Sequence, residues 1–169
     1  MGSAADWDRL GGTPLSLGEP VAGASNLFSL ITPQDGWTRL EAGKIDPESD
    51  LALYGPTVET VVLAFVIPKA GSNIDGMLQA RRDLIRQSGT LKEFRERRTF
   101  VTGRPVPISY ARYLDHTSIV GETVYWTATV VHGDNAIQVL AYSTKIDEQD
   151  LNLKLLVESL RLTEPGAVK

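Results

Sequence analysis

Residues 123–145 read TVYWTATVVHGDNAIQVLAYSTK, and this stretch decides the fold. Val124, Trp126, Ala128 and Val130 alternate with Tyr125, Thr127, Thr129 and Val131, the period-two pattern of a strand with two unlike faces. A second β-rich run follows the turn signal Gly133-Asp134-Asn135. Gly-Asp suits a type II′ loop and Asp-Asn a type I′ loop. Either two-residue loop sets Val130, Ala128 and Trp126 beside Ile137, Val139 and Ala141, whereas a three-residue loop would oppose apolar and polar positions. The expectation is a hairpin central to a sheet. Its Val124/Trp126/Ala128/Val130 face turns to a helix, and Tyr125, Thr127, Thr129 and Tyr142 form the side on which a partner would be sought.

Outward from the hairpin the same reading continues. Before it, residues 94–102 form a charged, edge-like strand, whose charge would resist sheet-to-sheet aggregation, and 106–114 form the next strand after Gly103-Arg104-Pro105. Upstream, Ser72-Asn73-Ile74-Asp75 caps a helix that runs to about residue 87, with Ile74, Met77, Leu78, Leu84 and Ile85 on one stripe. Arg81 falls within that stripe, as a snorkelling or carboxylate-paired side chain or as a ligand-binding arginine. Strands are expected at 27–32, 37–41, 51–54 and 57–67, the first two meeting in a hairpin at Pro33-Gln34-Asp35-Gly36. After the central hairpin, Asp147-Glu148-Gln149-Asp150 opens a helix whose Leu153, Leu156, Val157 and Leu160 share a face. Consecutive strands without intervening helices mean an antiparallel sheet. The fold class is α+β, with about seven strands and two principal helices, 72–88 and 147–160.

The domain is expected over 25–163, with a flexible Gly/Pro-rich arm at 1–24 and a tail at 164–169. At 169 residues the chain is long enough for one domain with a sizeable core. No run approaches the roughly 18 apolar residues that span a bilayer. Met1-Gly2-Ser3 reads as an expression remnant, compatible with a removed signal or anchor, the only anchorage in a membrane that the sequence suggests. Between Arg81 and Arg112 nine basic residues face three acidic ones, a local +6 in a chain of net charge −4. Such a band meets an acidic partner or anionic lipid, or is a solvated face; the anionic remainder argues against nucleic acid.

Cysteine is absent, which removes thiolate nucleophiles, disulfides and cysteine metal sites. The two histidines, His116 and His132, fall at opposite ends of one strand. Asp46-Pro47-Glu48-Ser49-Asp50 starts like a calcium loop and then fails, with Leu51 at position six and Thr57 at position twelve. The Gly-x-Ser-x-Gly, dinucleotide-binding, Walker A and His-Glu-x-x-His patterns are missing. No catalytic, metal or cofactor site is assigned.

The stretch LFSLITPQDGW at 27–37 resembles the opening of the PsbP/Mog1-like superfamily. The hairpin around Gly133-Asp134-Asn135, Tyr142-Ser143-Thr144 and the final Val157-Glu158-Ser159-Leu160-Arg161-Leu162 resemble its close. The resemblance spans about 26–163 and implies an αβα sandwich around an antiparallel sheet. The superfamily includes photosystem accessory proteins, a nuclear import factor, bacterial exported lipoproteins and type VI secretion chaperones, mostly binders of protein. The expectation is a non-catalytic bacterial binding or accessory domain, periplasmic or otherwise outside the cytoplasm, that binds a protein partner. Arg95, Arg97, Arg98, Tyr125 and Tyr142 are its candidate contact residues. A cytoplasmic type VI secretion chaperone, with a concave apolar sheet surface, is the alternative, and an enzyme with an unrecognised pocket the third reading.

Overall fold

A computed structural model describes residues 12–56, 60–69, 74–101, 104–115 and 122–163. Chain order is β1 (Thr13–Pro14), β2 (Pro20–Ala22), β3 (Phe28–Ile31), β4 (Thr38–Leu40), β5 (Leu51–Tyr54), β6 (Thr60–Ile67), α1 (Ile74–Ser88), β7 (Gly89–Val101), β8 (Arg104–Asp115), β9 (Glu122–His132), β10 (Asn135–Ser143), α2 (Ile146–Glu158) and β11 (Arg161–Leu162). The fold is α+β.

The hairpin comes first in the physics. His132 pairs with Asn135, so the loop is Gly133-Asp134, and Trp126, Ala128 and Val130 face Ala141, Val139 and Ile137. Gly133 has φ +63°, as the first central position of a type II′ loop requires, while Asp134 is not left-handed. From this pair the main sheet grows in both directions, in the order β1-β4-β5-β6-β10-β9-β8-β7. Every pairing is antiparallel. The chain leaves β6, passes through α1 to the sheet's far edge at β7, and returns through β8 and β9 so that β10 closes against β6. The charged strand expected at 94–102 is indeed an edge strand.

Alternation then sorts the side chains into two packed faces. On one, Trp126, Ala128, Val130, Ile137 and Val139 pack with Leu153, Leu156 and Val157 of α2. A second sheet, β11-β3-β2, contributes Val21, Phe28, Leu30 and Leu162 to the same cluster. Each such aliphatic or phenyl burial contributes about 1.5–3 kcal/mol. On the opposite face lie Ala111, Tyr125 and Leu140, with Phe65, Leu91, Phe94 and Tyr142 packed against them. Here α1 lies across β7 and β9, completing the αβα layering.

Three expectations are corrected. The side bearing Tyr125, Thr127 and Thr129 is not open: these residues are buried, because a sandwich with a helical layer on each side leaves no bare sheet face. Strands β3 and β4 do not form a hairpin. Both edges of β3 are occupied, by β2 and β11, so β4 joins β5 in the other sheet. The stretch 12–24 is not a loose arm: Leu15 and Val21 lie in the core. Its backbone is tied by Leu15 N–H to Trp37 O at 2.8 Å, Gly18 N–H to Thr32 O at 2.9 Å and Ala24 N–H to Asp50 O at 2.8 Å. Pro20 is tolerated because it opens its strand, where the missing N–H costs nothing. The cap at 72–73, His116 and the side chains of Ile74, Arg81 and Ile85 lie outside the described residues.

Candidate functional site

The edge strand β7 pairs with β8 in a regular register from Glu93 to Val101. Arg95 therefore lies opposite Tyr110 and Arg97 opposite Ile108, on the face shared with Trp126, while Glu96 and Arg98 take the other face. The second wall comes from α2, which packs on β9 and β10. Between them is a cleft of about 510 Å³, lined by Arg95, Arg97, Ile108, Tyr110, Leu151 and Lys154 together with Trp126, Asp150 and part of Glu96. That volume lies within the range of small-ligand and peptide side-chain pockets.

The floor is aromatic. The Tyr110 and Trp126 rings sit with centroids 4.7 Å apart at 56°, a tilted pairing that the quadrupoles of the two rings favour. Trp126 Nε1–H donates to Asp150 Oδ1 at 2.8 Å, which anchors α2 to the sheet. The Arg95 guanidinium lies 4.5 Å from the Tyr110 centroid, in cation–π contact. Burial pushes the Tyr110 phenol above its ordinary 10.0, and the negative charges of Asp150 and Glu93 push the same way. It stays a neutral hydroxyl at physiological pH.

The rim is cationic and apolar. Arg95 also meets Glu93 at 3.0 Å, and Arg97 meets Glu158 at 2.9 Å. Glu158 ends a helix with no basic residue of its own in its last turn, so Arg97 offsets a carboxylate that this end of the helix dipole disfavours, while Arg161 donates to the Leu160 carbonyl just beyond it. Leu151 is 64% exposed at the mouth of the cleft, and Leu155, one turn on, is 47% exposed. The arrangement can hold an apolar group that carries or adjoins negative charge.

The five candidate contact residues are thus divided. Arg95 and Arg97 line the cleft; Arg98 projects from the other side of the same strand. Tyr125 and Tyr142 belong to the opposite layer, where their rings stack with centroids 6.2 Å apart at 11°. Burial raises the Tyr142 phenol from its ordinary 10.0. The basic band of 81–112 is not one surface. Arg82 clasps Glu96 in two hydrogen bonds of 2.9 and 2.8 Å, joining α1 to β7, and Arg112 pairs with Glu122. Two of the acids that neutralise it, Glu122 and Glu158, lie outside the segment and escaped a local count.

Sequence reasoning missed the α2 wall. Its signal was present: Leu151 and Leu155, four residues apart, fall off the stripe of Leu153, Leu156 and Val157. The calcium-like loop has other employment. Asp46 Oδ1 accepts from Glu48 N–H at 2.9 Å, and Asp50 accepts from Ser25 N–H and Oγ–H at 3.1 and 2.8 Å, pinning the N-terminal segment. Among the described residues no three His, Asp or Glu side chains gather as metal ligands.

No family model and no curated protein matches the sequence. Solved structures do. Cyanobacterial PsbP (CyanoP) from Synechocystis superposes with a TM-score of 0.59 at 11% identity, covering 96% of this chain and 99% of its own. The fold is PsbP-like. LpqN of Mycobacterium tuberculosis, involved in cell envelope biogenesis, shares this PsbP-like fold with a TM-score of 0.58 at 15% identity, over 96% of this chain and 98% of its own. A protein of Bacteroides thetaiotaomicron matches at 0.55 and 15%, over 88% of this chain and 50% of that one. The resemblance read from residues 27–37 and from the closing hairpin and helix is therefore a resemblance of fold.

Proposed function

We propose that this chain is a non-catalytic accessory domain of the bacterial cell envelope that binds another protein at the cleft between β7 and α2. The observation that carries this reading is the convergence of Arg95, Arg97 and Lys154 around the exposed Leu151, above a Tyr110/Trp126 floor. Exposed aromatic-backed cations beside an apolar anchor are the composition of a protein-binding hot spot. The polar groups of the cleft are engaged with one another: the Trp126 indole with Asp150, Arg97 with Glu158, Arg95 with Tyr110 and Glu93. A neutral phenol and paired ions favour recognition over proton transfer. The envelope role of LpqN, a protein of the same fold, supports placement outside the cytoplasm, and no helix of the described residues is long and apolar enough to cross a membrane. The chaperone reading needs a concave apolar sheet surface, whereas both sheet faces here are filled by the chain's own side chains.

A photo-crosslinking residue at position 151, expressed in the native host, tests the site. Adducts are expected at 151 and not from the same residue at Asp134, the exposed hairpin tip on another part of the molecule, and Lys154→Glu is expected to weaken them. Equal labelling at both positions, or none at 151, would overturn the assignment.

A further inference from the structure

The free edge of β7 offers more than side chains. It ends the main sheet, and its outer backbone N–H and C=O groups have no strand partner among the described residues. A register shift lies at one end, between Leu91 and Glu93; from Glu93 to Val101 the strand is regular and able to template another. The cleft lies on the sheet face beside this edge, over β7, β8 and β9, with Arg95 and Arg97 on the outermost strand and Leu151 and Lys154 on the facing helix.

Charge selects the occupant. Within β7, Lys92, Arg95, Arg97 and Arg98 outnumber Glu93 and Glu96; Glu96 is clasped by Arg82, Glu93 meets Arg95 and Arg97 meets Glu158, so a bound carboxylate would join or replace these acids at the two cleft arginines. The rest of the chain is anionic, since the whole carries −4. A second copy of this chain, edge to edge, would set these cations against their own kind, which destabilises cross-strand pairs. An acidic strand meets the opposite field and is steered toward it.

We propose that β7 admits an extended acidic segment of a partner protein as an added strand, with cleft-side carboxylates meeting Arg95, Arg97 and Lys154, an apolar side chain covering Leu151, and the remaining carboxylates near Arg98. This inference rests on the cleft being a protein-binding site, and it adds the chemistry and conformation of what binds. Backbone hydrogen bonds to β7 give affinity, and the alternate side chains give specificity.

The test uses a labelled synthetic peptide of about eight residues, a common strand length, rich in glutamate and threonine with one central leucine. Binding is read by fluorescence anisotropy, and β7 amides by hydrogen exchange. The acidic peptide is expected to bind with an affinity that falls as salt rises, and to slow exchange at alternate amides between Glu93 and Val101. Methylating alternate peptide nitrogens is expected to weaken it by about tenfold or more, about 1.4 kcal/mol. Exchanging glutamate for lysine should abolish binding, and Arg98→Glu with Lys154→Glu should weaken it. Absent binding, binding indifferent to nitrogen methylation, or binding that leaves β7 exchange unchanged would overturn strand addition. Crosslinks at 151 in the host alongside such a result would leave the site standing and remove only its strand-adding occupant.

Discussion

At Trp126 one indole serves two layers: its ring packs on Tyr110 and its N–H donates to Asp150 on the last helix. Trp126→Phe keeps most of the packing and leaves a half-buried carboxylate without its donor. A loss of about 1.5–3 kcal/mol, the range for hydrogen bonds to charged groups, is expected in urea unfolding with the m-value unchanged. Asp150→Asn keeps an acceptor and should cost less. A second residue-level expectation concerns alkali. Tyr110 and Tyr142 both have phenols raised above 10.0 by burial. As pH rises past 10.0 the unfolded chain loses these protons while the folded one retains them, so stability is full below that pH and falls from there through the folded values. Tyr142→Phe should flatten this alkaline limb of the stability profile and remove a late-titrating phenol from the tyrosinate absorbance curve; an unaltered limb would contradict the burial.

Among elements, the two helices differ in grip. Leu153, Leu156 and Val157 of α2 are buried, whereas Leu84 of α1 is 50% exposed and Met77 and Leu78 only half-buried. Leu156→Ala should therefore cost about 2–5 kcal/mol, while Leu84→Ala stays within about 1 kcal/mol. Native-state hydrogen exchange should find α1 opening at lower free energy than α2. The hairpin supplies a backbone counterpart. A Cβ at Gly133 would meet nothing within 4 Å, so Gly133→Ala should cost only its left-handed backbone, about 1–2 kcal/mol. At Gly55 a Cβ would come 2.7 Å from Thr60 Cγ2 and 3.1 Å from Trp37, and the loss should exceed that. These elements were unequally legible in the sequence. The β9–β10 register followed from parity alone, and the α2 core face from its leucines. The strands β1, β2 and β11 have two or three residues each, too few for a period to show, and exist because distant segments offer them edges. The cleft was half legible. Arg95 and Arg97 stood out as charge, but which helix would face them depends on packing that alternation does not encode, and the same alternation sent Arg98 to the other side.

For the whole molecule, the N-terminal strands set a boundary on what can be removed. Cutting the chain before residue 25 deletes β1, β2 and the buried Leu15 and Val21. At about 1.5–3 kcal/mol per buried aliphatic side chain, the truncated protein should lose about 3 kcal/mol or more. Its thermal midpoint compared with the full chain checks this, and an unchanged midpoint would mean these strands are dispensable. The main sheet is also closed by segments far apart in sequence: Thr60 and Ser143 share a hydrogen bond of 2.6 Å across 83 positions. The small sheet goes further. It pairs β3 with β11, and Ile31 N–H donates to Ser159 Oγ across 128 positions. Such distant pairing sets a timetable as well as a shape. A chain emerging from a ribosome, or threaded through a translocation channel from its beginning, holds Phe28 and Leu30 without their lid until Leu162 has arrived, so folding finishes as one late event.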